Sequence, residues 1–233
     1  LFRSGNAACI IDNSAQLDWA VKRTLVGSFA YAGQVCISVQ RIFVHASIAD
    51  EFERRLVAGA AALKVGDPAD VATDVGPLID DGAAARTSEW IAEAVAGGAR
   101  LLAGGAALDP KSPRLFAPTI LADVSRAARI CSEEAFAPVV LLERFSDFNE
   151  ALTAVNASRY GLQCGLFSND LAHVRRAFDE LEVGGVIVND VPTYRIDNMP
   201  YGGVKESGLG REGVRWAVEE MTELRLLVLA DPQ

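Results

Sequence analysis

The chain alternates between two hydrophobic periods, and this alternation constrains its fold more than any other feature. Short apolar runs such as AACIID (7–12) and VQRIFVH (39–45) are typical of β-strands. Between them, as in residues 14–33, apolar side chains recur every three or four positions, which is typical of an amphipathic helix. Strands that alternate with helices indicate a layered α/β domain with a mainly parallel sheet.

The same pattern predicts the remaining elements. The predicted helices cover 14–33, 47–66, about 80–97, 147–156, 170–181 and 211–220, and the further strands cover 99–105, 114–123, 137–145, 162–167, 185–189 and 223–230. The last strand follows a helix, and it could pair within the sheet or with another subunit at a sheet edge. The pattern alone favours pairing within the sheet.

Charge and hydropathy exclude several classes of partner. The net charge is −9, from 22 basic and 31 acidic residues, and no cluster of Lys and Arg stands out. We therefore predict no nucleic acid and no anionic membrane as partner. The longest apolar runs are also far too short to cross a bilayer.

The cysteines are spaced too widely for a disulfide framework. No Cys-x-x-Cys pair occurs, and only two histidines could assist in binding a metal ion. We therefore predict no metal site, and reduced thiols in a cytoplasmic protein. The four cysteines are Cys9, Cys36, Cys131 and Cys164.

Cys36 lies between a helix-like run and a strand-like run, just after Gly33. A glycine lets the chain turn sharply, and a thiol presented at such a junction can act as a nucleophile. The alternative is a buried cysteine that packs as a small hydrophobe. A Cys–His hydrolase is a rival catalytic interpretation, with His45 or His173 as the base, although both histidines lie in ordinary strand-end or helical contexts.

Two further stretches carry polar residues that could contact a ligand. In CSEEAFAPVV (131–140), two acids precede an apolar strand, where a carboxylate could accept hydrogen bonds from sugar hydroxyls or simply be solvated. The long loop 189–213 contains Arg195, which could bind a carboxylate or phosphate. The alternative for Arg195 is an exposed arginine beside Asp197.

The glycine-rich stretch fits a dinucleotide-binding fingerprint only in outline, as Gly208-x-Gly210-x-x-Gly213. No predicted strand runs directly into it, and no acidic residue follows a second strand about 20 residues later. A conformational role for these glycines is therefore favoured over a phosphate cradle.

Taken together, these stretches resemble the aldehyde dehydrogenase superfamily. GQVC followed by Arg41 resembles its catalytic-cysteine segment, EEAFAP its Glu-Glu-x-Phe-Gly-Pro segment, and MPYGGVKESGLGREG its glycine-rich segment. LKVGDP and DVGPLI also match in order. The resemblance covers the family's C-terminal half. It implies a three-layer αβα catalytic domain over 1–220 and an oligomerisation strand over 221–233, without the N-terminal dinucleotide-binding half.

The resemblance implies a role for individual residues. Cys36 would attack the aldehyde carbonyl, giving a thiohemiacetal and then a thioester, and its backbone amide would hold part of the oxyanion. Glu134 would bind the nicotinamide ribose of NAD or NADP, and Phe136 would pack beside the nicotinamide. The residues implied to contact the aldehyde are Val35, Ile37, Arg195 and Tyr201.

Two positions depart from the family pattern. Ala137 replaces the glycine before the proline, which is a small change. The family's general-base glutamate, about 34 residues before the cysteine, falls at Phe2, and a phenylalanine cannot activate water. We therefore expect the chain alone to oxidise no aldehyde.

The loop VPTYRIDNMPYGG resembles the branch that acts on lactaldehyde, phosphonoacetaldehyde and related small polar aldehydes. Arg195 would then bind an anionic group on the substrate. Two alternatives remain open: a coenzyme-A-acylating member of the family, and a non-catalytic fragment that self-associates through its terminal strand. The family resemblance also predicts a homo-oligomer, either a dimer or a tetramer.

Overall fold

The fold consists of one large sheet, a two-stranded ribbon, seven α-helices and a 3₁₀ turn (Ala30–Gly33) among residues 4–231, the part that this computed structural model describes. The strands are β1 (Ala7–Ile11), β2 (Val39–His45), β3 (Arg100–Ala103), β4 (Thr119–Ala122), β5 (Val139–Phe145), β6 (Tyr160–Gly161), β7 (Gln163–Phe167), β8 (Gly185–Val188) and β9 (Val204–Lys205). The helices are α1 (Leu17–Phe29), α2 (Ala46–Ala62), α3 (Asp81–Ala96), α4 (Arg129–Ser132), α5 (Phe148–Asn156), α6 (Leu171–Glu180) and α7 (Val214–Met221).

The seven-stranded sheet has the order β3-β4-β5-β2-β1-β7-β8. Strand β3 is antiparallel to β4, and every other neighbouring pair in this sheet is parallel. Strands β6 and β9 form a separate antiparallel ribbon. The predicted α/β fold with a mainly parallel sheet is therefore confirmed.

Helices cover both faces of the sheet, and the central strands are therefore buried on both sides. Along β1, Cys9 and Ile11 join one core cluster, whereas Ala8 and Ile10 join the other. The first cluster includes Phe52 of α2, and the second includes residues of α5 and α6. Since successive side chains of a strand point to opposite faces, one short apolar strand supplies both cores. This gives the predicted three layers.

Proline limits one strand that the sequence predicted to be longer. The predicted strand 114–123 is reduced to Thr119–Ala122. Pro118 precedes it and has no N–H to donate to a sheet, so the ladder begins with the amide of Thr119, which donates to the Pro138 carbonyl at 2.8 Å.

The terminal strand is the main difference between prediction and structure. Residues 222–231 contain no strand, and the side chains of Leu224 and Leu226 are fully or largely exposed. The segment leaves α7 without a neighbouring backbone to pair with, and an apolar pattern makes no strand without such a partner. The predicted preference for pairing within the sheet is therefore wrong for the described residues. In residues 4–231, no helix is long and apolar enough to cross a membrane.

Candidate active site

The candidate site lies at the amino ends of four neighbouring strands. Gly5 comes just before β1, Cys36 just before β2, Glu134 a few residues before β5, and Leu162 directly before β7. In most open parallel sheets ligands bind at the carboxyl ends of the strands. In this chain the candidate functional residues lie instead at the amino ends of the strands.

A left-handed turn presents Cys36. Tyr31, Ala32 and Gly33 all have positive φ angles, of 54°, 55° and 68°. The amide of Gln34 donates to the Tyr31 carbonyl at 3.1 Å and closes the turn. A Cβ atom on Gly33 would lie 2.1 Å from the carbonyl oxygen of Ala137, so only glycine fits. The sharp turn predicted at Gly33 is confirmed.

Gly5 joins the segments of Cys36 and Glu134. Its amide donates to Oε1 of Glu134 at 2.8 Å. A Cβ atom on Gly5 would lie 2.0 Å from the carbonyl oxygen of Cys36. Three segments that are remote in sequence therefore meet at van der Waals distance. The space between them does not admit a side chain at position 5.

The carboxyl group of Glu134 is partly desolvated. Burial raises the pKa of Glu134 above its ordinary value, and hydrogen bonds from the Gly5 amide and the Ser4 hydroxyl oppose the rise. Two buried amide side chains fix the turn that carries Glu134. Asn6 donates to the carbonyls of Cys131 and Glu133, and Gln40 donates to that of Glu133 and accepts from the Ala135 amide.

Glu134 and Phe136 line a narrow crevice. Gly33 and Val35, from the segment that leads to Cys36, line the same crevice. Phe136 has a φ of 49°, which is unusual for a bulky side chain and turns the backbone between Glu134 and β5. The predicted cofactor-binding residues Glu134 and Phe136 and the predicted substrate-contacting Val35 therefore share one crevice.

A small apolar cluster supports Cys36 from another side. Ile37, Leu162 and Tyr201 are buried together, and Val35 and Cys36 pack against them while remaining partly exposed. Three of the predicted aldehyde-contacting residues thus adjoin Cys36. Their roles toward a substrate remain predictions.

Arg195 lies on the face of Tyr201. Its guanidinium carbon is 4.4 Å from the ring centroid, and Nη2 is 3.3 Å from Oε2 of Glu212. Arg195 is exposed, as the alternative expected, but its carboxylate partner is Glu212 and not the neighbouring Asp197.

The glycine-rich stretch has a conformational role, as predicted. Gly208, Gly210 and Gly213 all have positive φ angles, and a Cβ atom on Gly213 would lie 2.7 Å from the Met199 carbonyl oxygen. The hydroxyl of Ser207, in the same stretch, donates to the Ser4 carbonyl at 2.7 Å and accepts from the Gly161 amide at 3.0 Å. The hydroxyl of Ser207 therefore links the segment of Ser4 and Gly5 to strand β6 of the two-stranded ribbon.

The histidines lie away from Cys36. His45 ends β2, whose first residue follows Cys36 closely, so about seven residues of extended chain, roughly 20 Å, separate the two. Nδ1 of His173 donates to Oδ2 of Asp12 at 3.1 Å, just beyond the carboxyl end of β1. The Cys–His hydrolase interpretation is therefore wrong. Among the described residues, no group of three or more potential ligands could hold a metal ion.

The other three thiols are unsuited to nucleophilic chemistry. Burial raises the pKa of Cys9, raises that of Cys164 to about 12, and raises that of the half-buried Cys131. Thiolate is the nucleophilic form, so a raised pKa makes these side chains weaker nucleophiles near neutral pH than an ordinary thiol.

Four supporting residues were missed by the sequence analysis: Gly5, Asn6, Gln40 and Ser207. A polar glutamine inside the apolar run VQRIFVH was the one visible signal, because a buried amide needs partners. The other three lie in loops, and only the folded structure shows what they contact.

The fold and the cysteine-bearing site define the catalytic-domain class of one enzyme family. The profile of the "Aldehyde dehydrogenase family" matches residues 2–227. The chain belongs to this family, and the predicted resemblance is confirmed. Phe2, at the expected position of the general base, lies outside the residues that the structure describes.

Relatives support the same assignment. The chain is 46% identical over 224 residues to 3-sulfolactaldehyde dehydrogenase of Priestia megaterium (strain ATCC 12872 / QMB1551), covering 96% of this chain and 46% of that protein. It is 40% identical over 225 residues to lactaldehyde dehydrogenase of Methanococcus aeolicus, covering 97% of this chain and 47% of that protein.

A solved structure agrees in fold. Glyceraldehyde-3-phosphate dehydrogenase GapN from Methanocaldococcus jannaschii, complexed with NADP, matches with a TM-score of 0.89 at 45% identity. The match covers 94% of this chain and 46% of that one. The chain thus spans about half the length of the relatives that it matches.

Proposed function

We propose that this chain is part of a longer protein, called the parent protein below, that oxidises an aldehyde to the corresponding acid with NAD or NADP. We further propose that Cys36 is its nucleophile. The observation that carries the proposal is the left-handed turn at Tyr31–Gly33, which presents a partly exposed thiol beside the Glu134 segment. The remaining thiols lie elsewhere and have raised pKa values.

The chemistry at Cys36 proceeds in two stages. The thiolate attacks the aldehyde carbon, a C–S bond forms, and the carbonyl oxygen becomes an oxyanion. The Cys36 amide stabilises that oxyanion, and donors of this kind typically contribute about 3 kcal/mol of barrier lowering. Glu134 and Phe136 would hold a nicotinamide cofactor, which would supply the oxidant for removal of hydride from the same carbon. The resulting thioester is cleaved by water, which releases the acid and restores the thiol.

Glu134 and Phe136 suit a nicotinamide nucleoside. A carboxylate has about four lone-pair sites, so Glu134 can accept from ribose hydroxyls besides its bonds from Gly5 and Ser4. Phe136 offers an aromatic surface in the same crevice. Both lie in the segment that Gly5 holds against Cys36, and this juxtaposition supports their predicted role in binding the cofactor.

We further propose a small, polar substrate, either anionic or hydroxylated. The named relatives act on 3-sulfolactaldehyde, lactaldehyde and glyceraldehyde 3-phosphate, according to their names. Two of these aldehydes carry a sulfonate or a phosphate, and an arginine suits such groups. Arg195, on the ring of Tyr201 beside the Cys36 cluster, is the residue proposed to bind that group.

Arg195→Ala tests the substrate class. In the parent protein we expect the ratio of kcat/KM for an anionic aldehyde to that for a neutral one to fall about 10- to 100-fold, since charged hydrogen bonds contribute about 1.5–3 kcal/mol. Formation of reduced nicotinamide is the measurement, with and without coenzyme A. Arg175→Ala, an exposed arginine on α6, is the matched control. An unchanged ratio in Arg195→Ala would rule out the anion-binding role.

The 233-residue chain by itself is expected to oxidise no aldehyde with either cofactor. The expectation rests on the chain's matching only 46% of the length of 3-sulfolactaldehyde dehydrogenase, because the family resemblance puts the dinucleotide-binding half in the remainder. The measurement compares turnover by this chain and by the parent protein at equal concentration. Turnover by the chain alone that is comparable to that of the parent would contradict the expectation.

The exposed tail supports a proposal of homo-oligomer formation. We propose 1–220 as the catalytic domain and 221–233 as a segment that pairs with the sheet of a second copy in the cytoplasm. Leu224, Leu226 and Leu229 are exposed in a segment without helix or strand, and β8 is an edge strand of the sheet. An open edge strand pairs readily with an extended apolar segment. A monomer of the parent protein on a sizing column would contradict the proposal.

A further inference from the structure

The side chain of Glu212 holds Arg195 in place on Tyr201. Two interactions orient the Arg195 guanidinium: its central carbon lies 4.4 Å from the centroid of the Tyr201 ring, and its Nη2 is 3.3 Å from Oε2 of Glu212. We propose that Glu212 is the positioning residue that orients Arg195 toward the anionic group of the substrate, an inference that rests on the proposed function.

Backbone hydrogen bonds fix Tyr201 and Glu212 relative to each other. The Tyr201 amide donates to the Glu212 carbonyl at 3.0 Å, and the Glu212 amide donates back to the Tyr201 carbonyl at 2.6 Å. This isolated antiparallel bridge closes the glycine-rich stretch just before α7. The backbone segments that carry the Tyr201 ring and the Glu212 carboxylate are therefore held in a fixed relative position. Arg195 interacts with the ring by a cation–π contact and with the carboxylate by an ion pair.

These two interactions leave part of the Arg195 guanidinium available to a ligand. Nε and Nη1 of Arg195 make no hydrogen bond to any residue within 4–231, whereas Nη2 is directed to Glu212. A sulfonate, phosphate or carboxylate oxygen can therefore accept from the remaining N–H groups. Glu212 does not have to leave for the substrate to bind.

The ion pair itself adds little to folding. The side chains of Arg195 and Glu212 are 39% and 45% exposed, and exposed ion pairs are weak because water screens them. An arginine side chain loses rotational freedom about several bonds when it binds a ligand. Restraining the side chain beforehand reduces this entropy cost and favours binding. The consequence of the pair is thus expected in substrate selection more than in stability.

Glu212→Ala in the parent protein is the test, with succinate semialdehyde and butanal as an anionic and a neutral aldehyde of equal carbon number. We expect the ratio of their kcat/KM values to fall about tenfold, because a small misplacement of a binding group costs that much or more. Glu212→Gln keeps an oxygen acceptor and is expected to recover most of the ratio. Glu219→Ala, which removes the i,i+4 partner of Arg215 on α7, is the matched control.

The outcomes separate this inference from the proposed function. If Arg195→Ala loses the preference and Glu212→Ala keeps it, Arg195 binds the anion and the role of Glu212 is refuted. If both variants keep the preference, Arg195 itself does not bind the anion. An equal loss of activity toward both aldehydes in Glu212→Ala, with no recovery in Glu212→Gln, would assign Glu212 a purely structural role and overturn the inference. Circular dichroism of each variant verifies folding.

Discussion

Replacing Cys36 with serine in the parent protein is expected to reduce the formation of reduced nicotinamide at least about a thousandfold. A serine hydroxyl has nearly the shape of the thiol, so the turn at Tyr31–Gly33 and the cluster of Ile37, Leu162 and Tyr201 are preserved. What is lost is the sulfur nucleophile, which attacks carbonyl carbon far more efficiently than a serine hydroxyl without a base beside it.

Cys131→Ser is the matched control for Cys36→Ser. Cys131 is also partly exposed, yet burial raises its pKa, and it lies outside the apolar cluster that supports Cys36. We expect its replacement to leave turnover within about twofold, since substitutions outside a reacting site seldom act on chemistry. Alkylation with iodoacetamide followed by mass spectrometry provides an independent measurement, with Cys36 modified first. Preferential modification of Cys131, Cys9 or Cys164, together with an active Cys36→Ser variant, would refute Cys36 as the nucleophile.

Gly33→Ala is expected to lower the free energy of unfolding by about 3 kcal/mol or more. An alanine at a φ of 68° is strained, and its Cβ would lie 2.1 Å from the Ala137 carbonyl oxygen, an atom of the backbone that cannot rotate away. Either the Cys36 turn or the segment entering β5 has to move. Urea unfolding followed by circular dichroism measures the loss, and slower alkylation of Cys36 should accompany it.

Gly98→Ala separates conformational strain from collision. Gly98 also has a positive φ, of 102°, but a Cβ atom there meets nothing within 4 Å. Its replacement is expected to cost about 1–2 kcal/mol, the penalty of the left-handed region alone. Equal losses in Gly33→Ala and Gly98→Ala would show that the close approach to Ala137 does not matter for stability.

The fold was predictable where side-chain periodicity is decisive. VQRIFVH predicted β2 to the residue, because β-branched and aromatic residues outnumber the polar Gln40 and Arg41 within it. The same reasoning failed for residues 223–230, which have an equally apolar pattern and form no strand. A pattern describes one chain's preference, whereas a strand also needs a neighbouring backbone with free hydrogen-bonding groups.

The site was predictable only in its chemical groups. Cys36, Gly33 and Glu134 stand out by residue type, and the family resemblance ordered them. The supports of the site could not be predicted, because a glycine such as Gly5 is recognisable as essential only when the carbonyl of Cys36 is seen against it. The ion pair of Arg195 with Glu212 was missed for a similar reason, since the nearer acid in sequence, Asp197, is not its partner.

The meeting of strand ends at one edge of the sheet limits how this site could be transferred to another protein. The hydrogen bond between Gly5 and Glu134 joins residues that are 129 positions apart in the sequence. The bond between Ser4 and Ser207 joins residues that are 203 positions apart. No contiguous peptide, and no single helix or loop, contains the parts. A designer who wished to graft this thiol and its surroundings onto another scaffold would have to supply the four central strands in their order, since the sheet is what sets the spacing.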